Sequence, residues 1–154
     1  MGLYKFLRPA LFTLPPERAH RLTIHSLRLA AFLPAHHGDD YILSQRVLGH
    51  DFTNPLGMAA GFDKDAEAMA GVGRVGFGFA EVGTLTPLPQ AGNPQPRLFR
   101  LVEDKAVINR MGFNNGGQAA ALPRLQASQG RGLIGVNIGA NKDAVDRIAD
   151  YAMG

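Results

Sequence analysis

The sequence predicts an α/β protein: a parallel sheet with helices between its strands, preceded by a separate helical pair. Three observations carry this reading. Residues 54–60, 77–85 and 133–139 are short apolar runs bounded by turn residues, the pattern of buried strands. Helix-compatible stretches, 66–74 and 117–128, lie between them, and strands alternating with helices imply parallel pairing. The first 34 residues instead repeat apolar side chains at helical spacing.

In the helical pair, Leu3, Phe6, Leu7, Ala10 and Leu11 form one face of a short amphipathic helix. Pro15 and Pro16 break the chain. A second helix starts at Pro16–Glu17, with a proline and an acid where a helix N-terminus favours both. On its wheel Arg18, Arg21, His25 and Arg28 share one arc, and Ala19, Leu22, Ile24, Leu27, Leu29, Ala30, Ala31 and Leu33 fill most of the rest. Up to residue 36 five basic residues (Lys5, Arg8, Arg18, Arg21, Arg28) face one acid, Glu17. Two readings stand: a helical pair lying on an anionic membrane surface, or one packed on its own domain with arginines in water. His20 projects from the apolar side, where a lone histidine is commonly a satisfied core group.

Residues 35–52 read as a connector, with polar His36-His37-Gly38-Asp39-Asp40 and a short hairpin over 47–52. In the body, strand 54–60 leads into the loop Gly61–Asp65, a helix over 66–74 and strand 77–85. A long excursion, 86–115, contains Pro87, Pro89, Pro94 and Pro96 and two extended runs, 98–101 and 107–110. So long a connection is usually functional. Helix 117–128, strand 133–139 and a helix from Asp143 complete the reading. Three strands do not close a barrel, so the chain reads as a fragment that stops mid-architecture, expected to be inactive and poorly folded alone.

Composition narrows the chemistry. With 154 residues, 45% hydrophobic and 19% charged, the chain can build a core. The absence of cysteine removes disulfides, thiolate metal sites and cysteine nucleophiles. The five histidines show no HExxH or HxH spacing, so no metal site is expected. A net charge of +3 without a dense Lys/Arg run argues against a nucleic-acid arm. No apolar run reaches the ~20 residues that span a bilayer, and the N-terminus lacks the pattern of a signal peptide.

Gly71-Val72-Gly73-Arg74-Val75-Gly76 matches GxGxxG, the dinucleotide fingerprint. That fingerprint must follow a strand and open a helix. Here it ends a helix and precedes a strand, so its glycines read as a helix stop and a close helix–strand approach.

Stronger signals sit where strands end, the place barrel enzymes keep their chemistry. Ala59-Ala60-Gly61-Phe62-Asp63-Lys64 combines small residues, against which a flat ring can lie, with a cation. Glu81-Val82-Gly83-Thr84 supplies a hydroxyl at a strand end. Asn109-Arg110-Met111-Gly112-Phe113-Asn114-Asn115 offers directional donors and acceptors, although an Asn-rich turn would look the same. Asn137 is a polar residue in an apolar strand and needs partners.

These motifs in series, together with Gly92-Asn93-Pro94-Gln95-Pro96-Arg97-Leu98-Phe99-Arg100 and Gly135–Gly139, resemble the dihydroorotate dehydrogenases of the membrane-associated, quinone-using class. Pro16-Glu17-Arg18-Ala19-His20 resembles that class's N-terminal helical extension, and the likeness spans nearly the whole chain. The resemblance implies a (β/α)8 TIM barrel binding FMN at its C-terminal mouth, begun over residues 37–154, with 1–36 as a membrane and quinone unit. It implies that Ala60, Gly61, Phe62, Asp63, Lys64, Thr84 and Asn137 meet the flavin. Lys64, Asn109, Arg110, Met111, Gly112 and Phe113 would meet dihydroorotate or orotate, and His20 and Arg100 would line a quinone tunnel. The reaction implied is oxidation of dihydroorotate, with hydride passing to FMN and electrons on to a quinone, in pyrimidine biosynthesis. The class's serine base falls after the next barrel strand, beyond Gly154, so no catalytic base is expected among these 154 residues. A monomer bound peripherally to the inner membrane of a bacterium, on its cytoplasmic side, completes the expectation. The alternatives are another FMN-dependent TIM-barrel oxidoreductase, and a membrane-docking adaptor that leaves Lys64, Asn109 and Asn137 without a purpose.

Overall fold

The structure, a computed structural model, describes residues 4–34, 38, 40–130 and 132–154. Leu3 of the first predicted helix and Ala35, His36, His37 and Asp39 of the predicted connector lie outside the described residues.

Helices α1 (Tyr4–Thr13) and α2 (Pro16–Ala30) form the N-terminal pair, with Pro16 at the first turn of α2 as its missing N–H favours. A hairpin, β1 (Gln45–Val47) with β2 (His50–Phe52), follows. Then come β3 (Gly57–Met58), α3 (Met69–Arg74) and β4 (Phe79–Leu85). The excursion is an antiparallel hairpin, β5 (Leu98–Leu101) with β6 (Ala106–Asn109). Helix α4 (Gln118–Ala127), β7 (Leu133–Ile138) and α5 (Arg147–Met153) complete the chain.

Strands β3, β4 and β7 form a parallel sheet in that order. The parallel α/β reading therefore holds, and the described strands leave the sheet open rather than closed into a barrel. Ala66, Met69, Val82, Leu85 and Ala121 make the core, with Leu125 and Ile134 packed against it. A fully buried side chain such as Val82 contributes about 1.5–3 kcal/mol. The same packing fixes the C-terminal ends of β3, β4 and β7 side by side, which is what positions the site.

The predicted helix over 66–74 begins only at Met69. Ala66 sits at φ 57°, outside the helical region, and Asp63 takes up the backbone N–H groups of Glu67 and Ala68. The predicted strand 54–60 shortens to two residues, because Asn54 folds back to accept the N–H of Leu56.

Arg18, Arg21, His25 and Arg28, the basic arc of α2, are all exposed, yet two of them also pair with the body of the protein. Arg21 does not lie free in water: its guanidinium bonds Glu67 at 2.6 and 3.3 Å, and Arg28 approaches the same carboxylate at 3.5 Å. Leu22 and Leu29 point outward as well, at 46% and 70% exposure, while Ile24 is buried. Glu67 lies 46 residues beyond Arg21, so local periodicity could not reveal this pairing.

The glycine-rich segment behaves as a packing element. A Cβ on Gly71 would lie 1.7 Å from the Leu27 carbonyl oxygen, so this glycine lets α2 lie directly on α3. The close contact is helix on helix, a correction to the helix–strand approach read from the sequence. Gly76, at φ 103°, supplies the helix stop.

Candidate functional site

The loop after β3 is tied to the end of β4 by backbone bonds from Gly61 N–H to Gly83 O (2.8 Å) and from Gly83 N–H to Asp63 O (3.0 Å). The loop after β6 is held from below. Asn115, buried, donates to Phe113 O at 2.7 Å and accepts from Gly117 N–H at 2.8 Å. Gln90 donates to Phe113 O at 3.1 Å, and its own oxygen accepts from Lys142 N–H at 3.0 Å, bridging to the loop after β7.

These ties gather Ala60, Gly61, Lys64, Thr84, Asn109, Arg110, Met111, Gly112, Phe113 and Asn137 around one cleft of about 650 Å³, together with Asn93. Lys64 is half-buried. Desolvation pushes its ammonium below the ordinary lysine range and nearby Arg97 adds to the effect, while Asp65 and Glu17 oppose it. An anion in the cleft would offset that penalty. Thr84 Oγ1 donates to Asn137 Oδ1 at 2.6 Å, and Asn137 Nδ2 donates to Glu81 at 3.3 Å. Asn137, half-buried in strand β7, thus has its partners.

Several side chains are turned elsewhere. Asp63, 3% exposed, gives both carboxylate oxygens to the backbone N–H groups of Glu67 and Ala68, at 2.8 and 2.7 Å. It caps the turn before α3 and contributes backbone to the neighbourhood of the cleft. Phe62 also stands outside the cleft lining: its ring meets His20 edge-on at 5.2 Å between centroids. Arg110 donates to Pro96 O at 3.1 Å and lies over the Phe99 ring, so its charge is anchored to the hairpin. Asn109 Oδ1 accepts Met111 N–H at 2.9 Å, so its amide oxygen is engaged within its own loop. Gly154, the residue beyond which the sequence reading puts the serine base, is the C-cap of α5. It is exposed, donates its N–H to Asp150 O at 3.3 Å and lines neither this cleft nor the next one, so its part is structural rather than chemical.

His20 Nε2 donates to Phe62 O at 2.6 Å. It lines a second cleft, about 700 Å³, between α2 and the Phe62–Glu67 segment. Lys64 and Met111 line both clefts and so form the wall between them. Arg100 does not line this second cleft; it donates to Leu14 O at 2.8 Å and lies over the Phe12 ring, clasping the α1–α2 turn to β5. A second clasp joins Arg97 to Glu17 at 2.7 Å.

The sequence reading passed over Asn93, Gln90 and Glu81 as individuals. Asn93 lines the cleft and donates to Arg110 O at 2.8 Å. Its position between Gly92 and Pro94 reads as plain turn chemistry, so only the fold reveals it. Among the described residues no group of three or more His, Cys, Asp or Glu is placed to hold a metal ion, and no helix is long and apolar enough to cross a membrane.

The profile of a family described as dihydroorotate dehydrogenase matches residues 42–154. The chain belongs to the dihydroorotate dehydrogenase family. A dihydroorotate dehydrogenase (quinone) of Rhizobium rhizogenes is 58% identical over 147 residues, covering 96% of this chain and 41% of that protein. One of Brucella ovis is 58% identical over 155 residues, covering 99% of this chain and 42% of that protein. A crystal structure of DHODH from Eimeria tenella, in complex with ferulenol, superposes with a TM-score of 0.81 at 46% identity, over 90% of this chain and 39% of that one. The ligand-free form from the same organism gives 0.79 at 48% identity, over 88% and 40% of the two chains. The chain thus spans about two fifths of the length of these relatives.

Proposed function

We propose that this chain is the N-terminal portion of a quinone-dependent dihydroorotate dehydrogenase, which oxidises dihydroorotate to orotate in de novo pyrimidine biosynthesis. The observation that carries the reading is the single cleft that gathers Lys64, Thr84, Asn137 and the Asn109–Phe113 loop at the strand ends. The lining fits FMN. Ala60 and Gly61 present no bulky side chain to a flat ring, Lys64 supplies a cation, and Thr84 with Asn137 forms a hydroxyl–amide pair. When bound, FMN supplies the capacity to take a hydride from C6 of dihydroorotate and to hand electrons to a quinone.

The chain's own residues bind and orient. Lys64 would supply a positive charge toward both the flavin and the substrate carboxylate, and such an anion would offset the desolvation that lowers its ammonium. Asn109 directs its amide N–H groups to the pyrimidine or its carboxylate. Arg110, Met111, Gly112 and Phe113 shape the substrate side, with Arg110 holding the hairpin in place. The proton at C5 requires a base, assigned by the family resemblance to a serine after the next barrel strand, beyond Gly154. Residues 37–154 are then the first part of a (β/α)8 barrel, and residues 1–154 alone are inactive.

Residues 1–36 form the membrane and quinone unit. Phe6, Leu29 and Phe32 are 76%, 70% and 88% exposed, and Lys5, Arg8 and Arg18 lie in the same helical pair. That combination suits peripheral binding to an anionic leaflet. The quinone enters the second cleft and meets His20, which bonds the flavin-side loop directly, while Arg100 secures the entrance by holding the α1–α2 turn. The test is orotate formation by the full-length protein with FMN and a short-chain quinone. Activity is expected, with Asn109→Ala raising KM for dihydroorotate; a flavoprotein indifferent to dihydroorotate overturns the reading.

A further inference from the structure

Glu81 lies on β4 outside the lining of the cleft, yet it touches a residue that lines it. Its carboxylate accepts from Asn137 Nδ2 at 3.3 Å, and Asn137 Oδ1 accepts from Thr84 Oγ1 at 2.6 Å. The three side chains sit on the paired strands β4 and β7, in register from Glu81 opposite Gly135 to Gly83 opposite Asn137.

We infer that Glu81 is a positioning residue that sets the hydrogen-bond polarity of the flavin site. The argument is one of donor and acceptor inventory. A carboxylate only accepts, so the Asn137 amide must turn its NH2 toward Glu81. Its oxygen then faces Thr84, and the Thr84 hydroxyl must spend its single proton on that oxygen. Thr84 is left with lone pairs alone, and Asn137 with one further N–H. Both residues line the cleft. The site therefore offers an acceptor beside a donor, complementary to a ring edge with N–H next to C=O, the imide edge of a flavin. Without Glu81 the amide can flip, and the Thr84 proton can point at the ring's own N–H. The inference rests on the proposed FMN reading.

The test uses the full-length apoprotein titrated with FMN, with flavin fluorescence giving Kd and the bound flavin's reduction potential as a second readout. Glu81→Gln presents an NH2 as well as an oxygen, so it no longer dictates which way the Asn137 amide turns. Glu81→Asp stays acceptor-only and withdraws its oxygens by one methylene. Glu81→Gln is expected to weaken FMN by about tenfold, the scale of one misdirected hydrogen bond, and Glu81→Asp by less. In a Thr84→Val background, Glu81→Gln should add little, because the chain has already been cut. The reverse order, Gln tolerated and Asp damaging, would show that reach and not acceptor-only character matters and would overturn the inference. Equal behaviour of both variants and the wild type would do the same. Wild-type apoprotein that ignores FMN would instead remove the cofactor reading itself.

Discussion

Replacing Asp63 by alanine should destabilise the protein more than it weakens FMN binding. The carboxylate is 3% exposed and accepts two backbone N–H bonds, at 2.8 and 2.7 Å. Alanine leaves both donors buried without a partner, and each such loss costs about 1–3 kcal/mol. The expected total is therefore about 4 kcal/mol, or roughly 10 °C in Tm for a domain of a few hundred residues. Asparagine retains one acceptor oxygen and should lose about half of that. The assay is thermal and urea unfolding of the full-length apoprotein, paired with FMN titration. If Asp63→Asn left apoprotein stability intact but weakened FMN strongly, the carboxylate would be a direct flavin contact, and the capping role would be refuted. A loss below about 1 kcal/mol for alanine would refute it as well.

Three further outcomes follow from the same geometry. Gly71→Ala should loosen α2 from α3 at a cost of about 1–3 kcal/mol, because its Cβ meets the Leu27 carbonyl at 1.7 Å; Gly73→Ala, with nothing within 4 Å, should be neutral or slightly stabilising in the same melts. The Arg21 bond holds Glu67 below the ordinary glutamate range, so its stabilising contribution is present above the unfolded glutamate value and fades as pH falls through the lowered folded one. Proteolytic release of the helical pair should rise over that acidic window, and Glu67→Gln should flatten the profile. Because Arg21 is half exposed, the contribution is at most about 1 kcal/mol. Burial lowers Lys64, so its charge disappears earlier on the alkaline side than that of an ordinary lysine. Orotate affinity should decline along that limb, and Lys64→Ala should weaken binding and abolish the decline.

How far the sequence reaches depends on how local each cause is. Strand β4 was legible because seven consecutive residues carry its pattern, and the Leu98–Leu101 run because Gly92, Pro94 and Pro96 mark the turn before it. The start of α3 was not, since it depends on a carboxylate four and five residues upstream and on Ala66 outside helical geometry. The cleft residues were named through ordered motifs, and the fold brings them together because β3, β4 and β7 end side by side. Pairings across long separations stayed hidden. Arg21 with Glu67, Glu17 with Arg97 and Asn137 with Glu81 are 46, 80 and 56 residues apart, and a wheel or a strand pattern records only neighbours.

The most direct test mixes the full-length FMN-loaded protein with dihydroorotate in the absence of oxygen and follows the flavin absorption band. Bleaching by dihydroorotate, reversed by a quinone, is the predicted result, establishing donor, cofactor and acceptor in one trace. A flavin that remains oxidised in saturating dihydroorotate would contradict the assigned substrate, leaving the family's fold but not the proposed chemistry.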